Sequence, residues 1–391
     1  MAKTLASQAK NGGSIPLARS VLDGFETAYD QALSDLGRFN LAIFGKTGVG
    51  KSTLINAIFG GEIARTGTGR PVTLKTQYFE HPSGIFGVYD SEGIEVGQEG
   101  DEILARFHDL IAQKRKRPIE EQIHVIWYCV RAADLRFEDS QAKFIEALAS
   151  EGLPIVFVLT QVHRRDGEIH PSAIELADSI LARALPLAPD NRVFFTMALP
   201  DTWGGWEAFG LQELLDATFR VAPEGVANAL TAAQKIDLAR KAARARLYVK
   251  GAALSAAATG ATPIPFSDAA LLVPIQTGLM AKIAAIFGLG VKKGTLGTMA
   301  GAAFAGGGAT TAGRYIVTNL LKFVPGANIA AGTIRAGVAS ALTYAVGEAW
   351  IAVCTQLHKL GPAAVDRLPA EELRELFLRE FKARAAISRG S

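Results

Sequence analysis

The apolar residues follow two different patterns along the 391-residue chain. Between residue 39 and about residue 220, short apolar runs of strand length alternate with segments whose apolar residues recur at helical spacing, which is typical of a sheet covered by helices on both faces. Beyond about residue 225 the pattern indicates helices alone. The chain is therefore predicted to comprise an N-terminal segment and helix over 1–37, an α/β domain over 38–222 and an all-helical, Ala/Gly-rich domain over 223–391. The amphipathic stretch at 17–37 is expected to pack beside the first strand.

Six apolar runs predict the strands of the α/β domain: 39–44, 74–80, 85–90, 123–130, 154–160 and 192–197. Only HPSG, residues 81–84, separates the second run from the third. A parallel neighbour needs a crossover of about a dozen residues, so these two strands must form an antiparallel hairpin. The predicted sheet is mostly parallel, with one antiparallel edge strand placed second in the chain.

A glycine-rich stretch, GKTGVGKST (residues 45–53), connects the first predicted strand to a predicted helix. It matches the pattern G-x-x-x-x-G-K-[ST], in which backbone N–H groups wrap a di- or triphosphate, the lysine reaches the terminal phosphate oxygens and the hydroxyl ligates magnesium. Lys51 and Ser52 take these two side-chain roles. The other predicted phosphate-binding positions are Gly45, Lys46, Thr47, Gly48, Val49, Gly50 and Thr53.

The third predicted strand ends in DSEG, residues 90–93. Asp90 can hold magnesium through a water molecule, and Gly93 can offer its N–H to the γ-phosphate. The segment 61–76 lacks periodicity, as expected of a switch segment that becomes ordered around bound triphosphate. Within it Thr73 is predicted to supply the second magnesium hydroxyl, with Thr66, Thr68 and Thr76 as alternatives. The predicted metal ligands are thus Ser52, Thr73 and Asp90.

The fifth predicted strand is followed by TQVHRRD, residues 160–166, where a GTPase carries its base-reading pattern [N/T]-[K/Q]-x-D. Thr160 and Gln161 fit this pattern, but His163 stands in place of the carboxylate. A neutral imidazole accepts one hydrogen bond from the guanine edge, whereas a carboxylate accepts two. Either Asp166 reaches back from the loop, or guanine selectivity is weakened. The backbone N–H of Ala198 is a further candidate contact to the base.

These residues resemble the Era/septin-type GTPases of the translation-factor class. GKTGVGKSTLINAIFG is also similar to the phosphate loop and first helix of the immunity-related GTPases. IHVIWYCVRAADLRFEDSQAKFIEAL, VFVLTQ and PIPFSDAALLVPIQTGLMAKIAAIFG are similar to segments of bacterial GTP-binding proteins that carry an apolar C-terminal domain of unknown function. The resemblance covers about residues 38–290 and implies a Ras-like P-loop GTPase fold, GTP or GDP as ligand, Mg²⁺ and membrane association.

Two positions differ from particular groups of GTPases. Ile94 stands where Ras-type proteins have the glutamine that orients the attacking water, although it matches the hydrophobic substitution common among Era-like members. Hydrolysis is therefore expected to be slow without a group supplied by assembly, lipid or a partner. A homodimer through the GTPase domain is one such source. Gly48 stands where potassium-activated members have asparagine, so potassium stimulation is not predicted.

The C-terminal region allows two interpretations. The uncharged segment 294–313 has the length of a membrane span but little transfer energy, and its Gly297/Gly301 pair allows close helix packing in lipid or in a soluble bundle. A basic helix over 235–250 can face anionic headgroups. Membrane lipid contact through residues 225–357 and a wholly soluble helical bundle are therefore both open.

Charge and cysteine content indicate which partners to expect and in which cellular compartment the protein lies. The net charge of +3 indicates no polyanion-binding character, and no nucleic acid partner is predicted. The basic run KRKRP, residues 114–118, can be read as a contact for acidic lipid or as a solvated face that complements a helix dipole. Two cysteines in apolar surroundings and an N-terminus without the apolar core of a signal peptide predict a cytoplasmic protein, membrane-associated on the cytoplasmic face.

Two functions follow from these motifs. The first is a GTPase in which water attacks the γ-phosphate of Mg·GTP, with Lys51, Thr73 and Gly93 as the catalytic residues and hydrolysis driving a switch or membrane remodelling. The second is a nucleotide-loaded scaffold with negligible turnover that recruits a protein partner through its helical domain. Phosphate release with and without liposomes distinguishes the two.

Overall fold

A computed structural model describes residues 14–60, 70–73, 76–91, 98–201, 203–259, 264–265, 272–289, 333–334 and 336–387. The chain divides into two compact units. The first unit is Leu36–Asp237, and the second combines the segment up to Asp35 with the chain from Leu238 onward. Each unit is described by itself, with elements numbered in chain order over the described residues.

A seven-stranded sheet forms the centre of the first unit, in the order β2-β3-β4-β1-β5-β6-β9. The strands of the unit are β1 Phe39–Phe44, β2 Arg70–Thr73, β3 Thr76–Glu80, β4 Phe86–Ser91, β5 Val125–Arg131, β6 Ile155–Thr160, β7 Arg164–Arg165, β8 Glu168–Ile169 and β9 Val193–Phe195. From β4 to β9 the sheet is parallel, whereas β3 pairs antiparallel with β4. The predicted fold class, a mostly parallel Ras-like sheet with an antiparallel hairpin, is confirmed.

The edge of the sheet contains one strand more than predicted. β2 pairs antiparallel with β3 and is the edge strand. β3, which was predicted to be the edge strand, therefore lies between β2 and β4. Four residues, RPVT, form β2. So short a run, with a proline in it, carries no detectable alternation, which is why the sequence indicated only a switch segment there.

Helices cover both faces of this sheet. α1, Ser14–Leu36, precedes it, and the helices of the first unit are α2 Lys51–Phe59, α3 Gln98–Lys114, α4 Asp139–Ser150, α5 Pro171–Leu181, α6 Leu211–Val221 and α7 Ala227–Ala233. On one face, the ring of Phe44 packs edge-on against Phe107 of α3 and Phe144 of α4. On the other face, Phe59 of α2 stacks on Phe86 of β4, with ring centroids 4.0 Å apart. Because both faces are covered, β1 and β6 are buried along their whole length.

The second unit is a helical assembly. Its further helices are α8 Leu238–Thr259, α9 Leu272–Phe287, α10 Ala336–Leu360, α11 Pro362–Val365 and α12 Ala370–Ile387, and a two-residue strand pair joins β10 Ile264–Pro265 to β11 Thr333–Ile334. α10 packs against α8, α9 and α12. The indole Nε1 of Trp350 in α10 donates to the carbonyl of Met280 in α9, at 2.9 Å.

Two segments near the unit boundaries group with elements that the sequence pattern did not identify. α1 groups with the second unit, where the Tyr29 hydroxyl donates to the carbonyl of Leu289, and its predicted packing beside the first strand stays a prediction. α7 packs on β1 and β4, so the first unit continues to Asp237, beyond the predicted change at 222/223. An amphipathic helix requires a partner surface, but its pattern does not state which surface that is.

The basic helix predicted over 235–250 is only partly open to solvent. Lys241 is fully buried, and its ammonium donates to the carbonyls of Ile286 and Phe287 at the end of α9. A cation at the carboxyl end of a helix complements the dipole and satisfies terminal carbonyls. Lys241 is thus a structural residue and is not available to lipid headgroups.

Among the described residues, one helix segment, Gly337–Leu360, is long and apolar enough to cross a membrane by length and composition, and 61% of its most apolar window is buried inside the structure. The core helix of a soluble protein satisfies the same criteria. Glu348 within it pairs with Arg246 of α8, at 3.0 Å. The segment 294–313, with its Gly297/Gly301 pair, lies outside the described residues.

Candidate nucleotide-binding site

The glycine-rich loop leaves the carboxyl end of β1 through a backbone conformation that requires glycine. Gly45 has φ +145°, and a Cβ there would lie 2.3 Å from the carbonyl oxygen of Cys129 on β5. Gly48 and Gly50 also have positive φ, +81° and +94°. Side chains would therefore strain or block the loop at these positions, and what remains is a backbone turn open to an anion.

Lys51 is the first residue of α2, and its ammonium folds back over the loop. Its Nζ donates to the carbonyl oxygens of Gly45, at 2.8 Å, and Lys46, at 3.2 Å, and the residue is only 8% exposed. The first-turn amides of α2 have no acceptor within the helix, and the positive end of the helix dipole lies at the same point. Amides and ammonium together form a site that suits a polyphosphate.

The predicted magnesium ligands that the structure describes lie beside this loop. Ser52 is half-buried in the first turn of α2, and Asp90 pairs in register with Ile43 on β1, shortly before the loop begins. Burial raises the pKa of the Cys129 thiol to about 12, while nearby Lys51 opposes this rise and Asp90 adds to it. The charges of Lys51 and Asp90 therefore act on one buried region. A hydroxyl and a carboxylate at this edge fit Mg²⁺, which prefers oxygen ligands.

The remaining predicted contacts to the γ-phosphate are only partly described. Thr73 is the last residue of β2 and pairs with Thr76 of β3, so its backbone belongs to a strand and not to an irregular segment. Gly93 and Ile94 lie outside the described residues, as do the alternatives Thr66 and Thr68. Their roles stay predictions.

Thr160 and Gln161 attach the loop with the predicted base-reading pattern, residues 160–166, to the glycine-rich loop. The Thr160 hydroxyl donates to the carbonyl of Val49, at 2.5 Å, and lies 3.3 Å from the carbonyl of Val130. The Gln161 side-chain amide donates to the carbonyl of Gly48, at 3.2 Å. Both residues thus contact the phosphate loop itself, a positioning role that the sequence pattern did not indicate.

His163 is exposed and is held by an aromatic neighbour that sequence reasoning missed. Its ring stacks on the indole of Trp206, with centroids 4.6 Å apart and planes 3° from parallel. Trp206 lies in the loop after β9, where it pairs with Asp201. The guanidinium of Arg165 lies over the same indole, 5.2 Å from its centroid. The string WGGW was the only sequence signal, and it has no fixed spacing to the base-reading pattern.

Asp166 and Ala198 occupy the two loops next to His163. Asp166 and Gly167 form the two-residue turn between β7 and β8, with φ +51° and +84°. Aspartate followed by glycine is favoured in this turn, so Asp166 also has a structural reason to be present. Ala198 follows β9, and the two loops are joined by a hydrogen bond from the Val162 amide to the Thr196 carbonyl, at 3.0 Å.

Lys46 makes a side-chain contact that the sequence did not predict. Its Nζ lies 3.1 Å from Oε1 of Glu138, whose carboxylate caps the start of α4. The pair attaches the phosphate loop to the segment that follows β5. Both side chains are more than a third exposed, so the pair fixes geometry more than it stabilises the fold.

Two family models match parts of this chain. Residues 40–161 match the family model described as 50S ribosome-binding GTPase, and residues 226–377 match the domain of unknown function DUF697. Magnetosome membrane protein 22 of Magnetospirillum gryphiswaldense is 27% identical over 142 residues, which cover 36% of this chain and 70% of that protein.

Solved structures of GTP-binding proteins are also similar to this chain. A probable GTP-binding protein EngB matches with 20% identity and a TM-score of 0.34, covering 46% of this chain and 97% of that one. A variant of Era from Aquifex aeolicus matches with 19% identity and a TM-score of 0.30, covering 54% of this chain and 68% of that one.

The family match and the sheet order agree on the first unit. The glycine-rich loop, Lys51 and Asp90 all fall inside the matched range 40–161, and the mostly parallel sheet with its antiparallel hairpin surrounds them. The resemblance predicted from the sequence is thereby confirmed at the level of the GTPase domain and of the C-terminal domain. The protein is a GTP-binding protein with a Ras-like GTPase fold in its first unit, and its helical C-terminal region is similar to the domain of unknown function DUF697.

Proposed function

We propose that this protein is a magnesium-dependent GTPase that acts as a switch or remodelling factor at a membrane surface. One observation carries the proposal: the buried Lys51 ammonium lies against the carbonyls of Gly45 and Lys46, at the point where α2 begins. A buried lysine needs compensation for its desolvation, and a triphosphate in the loop would supply a stronger counter-charge than two carbonyls do.

The chain's own residues take defined roles in this reaction. Lys51 and the loop amides stabilise the charge that develops as water attacks the γ-phosphate in line. Ser52, Thr73 and Asp90 are the proposed metal ligands, and the Gly93 N–H senses the γ-phosphate. Magnesium, when bound, neutralises charge on the β- and γ-phosphate oxygens.

The base is the least constrained part of the proposed site. Ala198 is proposed to donate its N–H to the base, while His163, held on Trp206, offers a single acceptor. Thr160 and Gln161 are proposed to hold this loop in place through their hydrogen bonds to the carbonyls of Val49 and Gly48. Guanine selectivity is therefore proposed to be weaker than with a carboxylate, unless Asp166 reaches the base.

Turnover is proposed to be slow in the isolated protein, because Ile94 cannot orient water. A second copy that meets the first through the GTPase domain, a lipid surface or a partner protein would supply the missing group.

Membrane association is proposed for the second unit and on the cytoplasmic face. Leu247 and Leu254 of α8 are 54% and 72% exposed, and they lie two helical turns apart on one face, with the exposed Lys250 between them. Leucines flanked by a basic side chain are typical of a helix that lies in the headgroup region. The name of the relative from Magnetospirillum gryphiswaldense also refers to a membrane.

Nucleotide affinity of the full chain tests the binding proposal. GTP, GDP and ATP are titrated into the wild-type protein, Lys51→Ala and the matched control Lys143→Ala, which removes an exposed lysine from α4. We expect tight GTP and GDP binding that is lost in Lys51→Ala and retained in the control. Unchanged uptake by Lys51→Ala would contradict the proposed phosphate site, and a preference for ATP would contradict the proposed base contacts.

Phosphate release by the loaded protein tests turnover. We expect a slow basal rate that rises with protein concentration or with liposomes. Tight GTP binding without release under any of these conditions would contradict the hydrolytic function.

A further inference from the structure

The first unit has a second concave surface that the nucleotide site does not use. It is a cavity of about 490 Å³ lined by Gln113, Lys114, Lys116, Arg117 and Glu121, which we call the basic pocket. Its residues come from the end of α3 and the segment that leads into β5. The volume lies within the range of small-molecule sites, roughly 300–1,000 Å³.

Three of the four consecutive basic residues at 114–117 converge on this pocket, and the fourth is engaged elsewhere. Arg115 contacts Glu151 through its guanidinium, and Glu151 also binds His108. Lys114 lies with its ammonium 6.0 Å from the centroid of the Tyr89 ring. Within the described part of the chain, neither Lys116 nor Arg117 forms a side-chain ion pair. A run that served only to complement the helix dipole would not need to line a concave surface.

The lining charges define the class of ligand. Three cations against the single carboxylate of Glu121 leave two positive charges in excess. A phosphomonoester carries about −1.5 to −2 charges at pH 7, which matches this excess, whereas a phosphodiester or a carboxylate carries only about one. Arginine pairs with phosphate through two parallel N–H groups, lysine acts as a point charge, and the Gln113 amide adds a neutral donor.

The basic pocket and the phosphate loop lie at opposite ends of the parallel strands. The loop follows the carboxyl end of β1, whereas the pocket precedes the amino end of β5, and β1 and β5 are parallel neighbours. A ligand in the pocket is therefore a second ligand and not part of the bound nucleotide.

We propose that the basic pocket binds a phosphomonoester group. The cavity is larger than a phosphate ion needs, so the group is attached to a further body, and the Glu121 carboxylate can accept a hydrogen bond from a hydroxyl of that body. The same chemistry has two sources, the headgroup of an anionic lipid and a soluble phosphorylated compound.

Vesicle binding by the full chain, with one equivalent of GDP to occupy the nucleotide site, tests this proposal. Phosphatidylcholine vesicles carry either phosphatidic acid, a monoester, or phosphatidylglycerol, a diester, at matched surface charge. Glycerol 3-phosphate serves as the soluble probe in calorimetry and as a competitor. The variant Lys116→Gln/Arg117→Gln is compared with Lys143→Gln/Arg192→Gln, which removes the same charges from other exposed positions of the unit.

We expect preference for the monoester ligand, weakened at least roughly tenfold in the pocket variant and unchanged in the control, because each residue supplies a charge-assisted hydrogen bond. A preference for phosphatidic acid vesicles assigns a lipid headgroup, and glycerol 3-phosphate binding without that preference assigns a soluble ligand. Equal binding of the two vesicle types together with no glycerol 3-phosphate binding, equal monoester binding by variant and wild type, or no binding of any probe would overturn the proposal. The unchanged GTP affinity of the variant shows that it folds, and its loss in Lys51→Ala tests the nucleotide site independently.

Discussion

At the scale of single residues, His163 shows how one substitution changes what a site can recognise. The ring is exposed, but its orientation is restrained by the parallel indole of Trp206. In the proposed site, a single imidazole acceptor would pair with the N1–H of guanine or of hypoxanthine alike. The guanine 2-amino group would then have no partner on this side chain.

Replacing His163 by aspartate is expected to increase the selectivity for GTP over ITP. In the wild-type protein we expect GTP and ITP to bind with similar affinity. In His163→Asp we expect GTP to be favoured over ITP by roughly tenfold, because the second carboxylate oxygen accepts from the 2-amino group. Competition binding measures the ratio, and His170→Asp, the same exchange at an exposed histidine, is the control. A wild-type protein that already favours GTP to this extent would instead indicate that Asp166 reads the base.

The buried His124 is expected to make the free energy of unfolding depend on pH. His124 is 3% exposed, its Nδ1 accepts from the Asn40 amide and its Nε2 therefore donates to the Ile119 carbonyl. Burial lowers the pKa of His124 in the folded state. The unfolded chain binds the proton first as the pH falls, so the stability that this histidine provides is complete above pH about 6.5 and is lost below it.

Chemical denaturation near neutral pH and about one unit below the ordinary histidine pKa tests this effect. We expect the loss of unfolding free energy on acidification to be smaller in His124→Gln, whose side chain does not titrate. His108 is the matched control of opposite sign, because its hydrogen bond to Glu151 raises its pKa, and the stability it provides is present at low pH and lost as the pH rises. His108→Gln should therefore increase the loss on acidification. An identical pH dependence in all three proteins would contradict these assignments.

At the scale of elements, the phosphate loop illustrates which part of the site sequence can predict. The strand, turn and helix around residues 45–53 were predictable, because a buried apolar run, positive-φ glycines and helical periodicity follow one another without a gap. The supporting contacts were not. The stack of His163 on Trp206 joins loops that follow β6 and β9, and no local pattern encodes a contact between side chains that are distant in sequence.

Replacing glycine by alanine is expected to lower the free energy of unfolding by different amounts at two positions of this loop. In Gly45→Ala the new methyl group would meet the Cys129 carbonyl at 2.3 Å, and β5 cannot move away without disturbing the sheet. In Gly48→Ala the methyl group has no neighbour within 4 Å, and only the φ of +81° is unfavourable. We expect a loss of at least about 2 kcal/mol of unfolding free energy for the first and about 1 kcal/mol for the second. Urea denaturation measures both, and equal losses would show that the close approach to β5 is not what requires Gly45.

At the scale of the whole molecule, the sequence predicts the order of domains better than the membership of each helix. The change from alternating to purely helical patterning is visible because it extends over long stretches of chain. The grouping of α1 with the C-terminal helices and of α7 with the sheet depends on which apolar faces meet in three dimensions. Lys241 shows the same limit. From sequence, a lysine in a basic helix is predicted to be exposed, and only the structure shows that its ammonium donates to the last carbonyls of α9.

Membrane association of the full chain is the prediction that joins the two units. Leu254 is 72% exposed on α8, and we expect Leu254→Asp to weaken pelleting with anionic vesicles, because it places a charge on the proposed apolar face. GTP affinity should stay unchanged, since the residue belongs to the second unit. Ile174→Asp is the control, because Ile174 is 43% exposed on α5 of the first unit and the charge change is the same. If vesicles accelerate phosphate release, that acceleration should be lost in Leu254→Asp and retained in Ile174→Asp. Unchanged pelleting of Leu254→Asp would remove α8 from the proposed lipid contact.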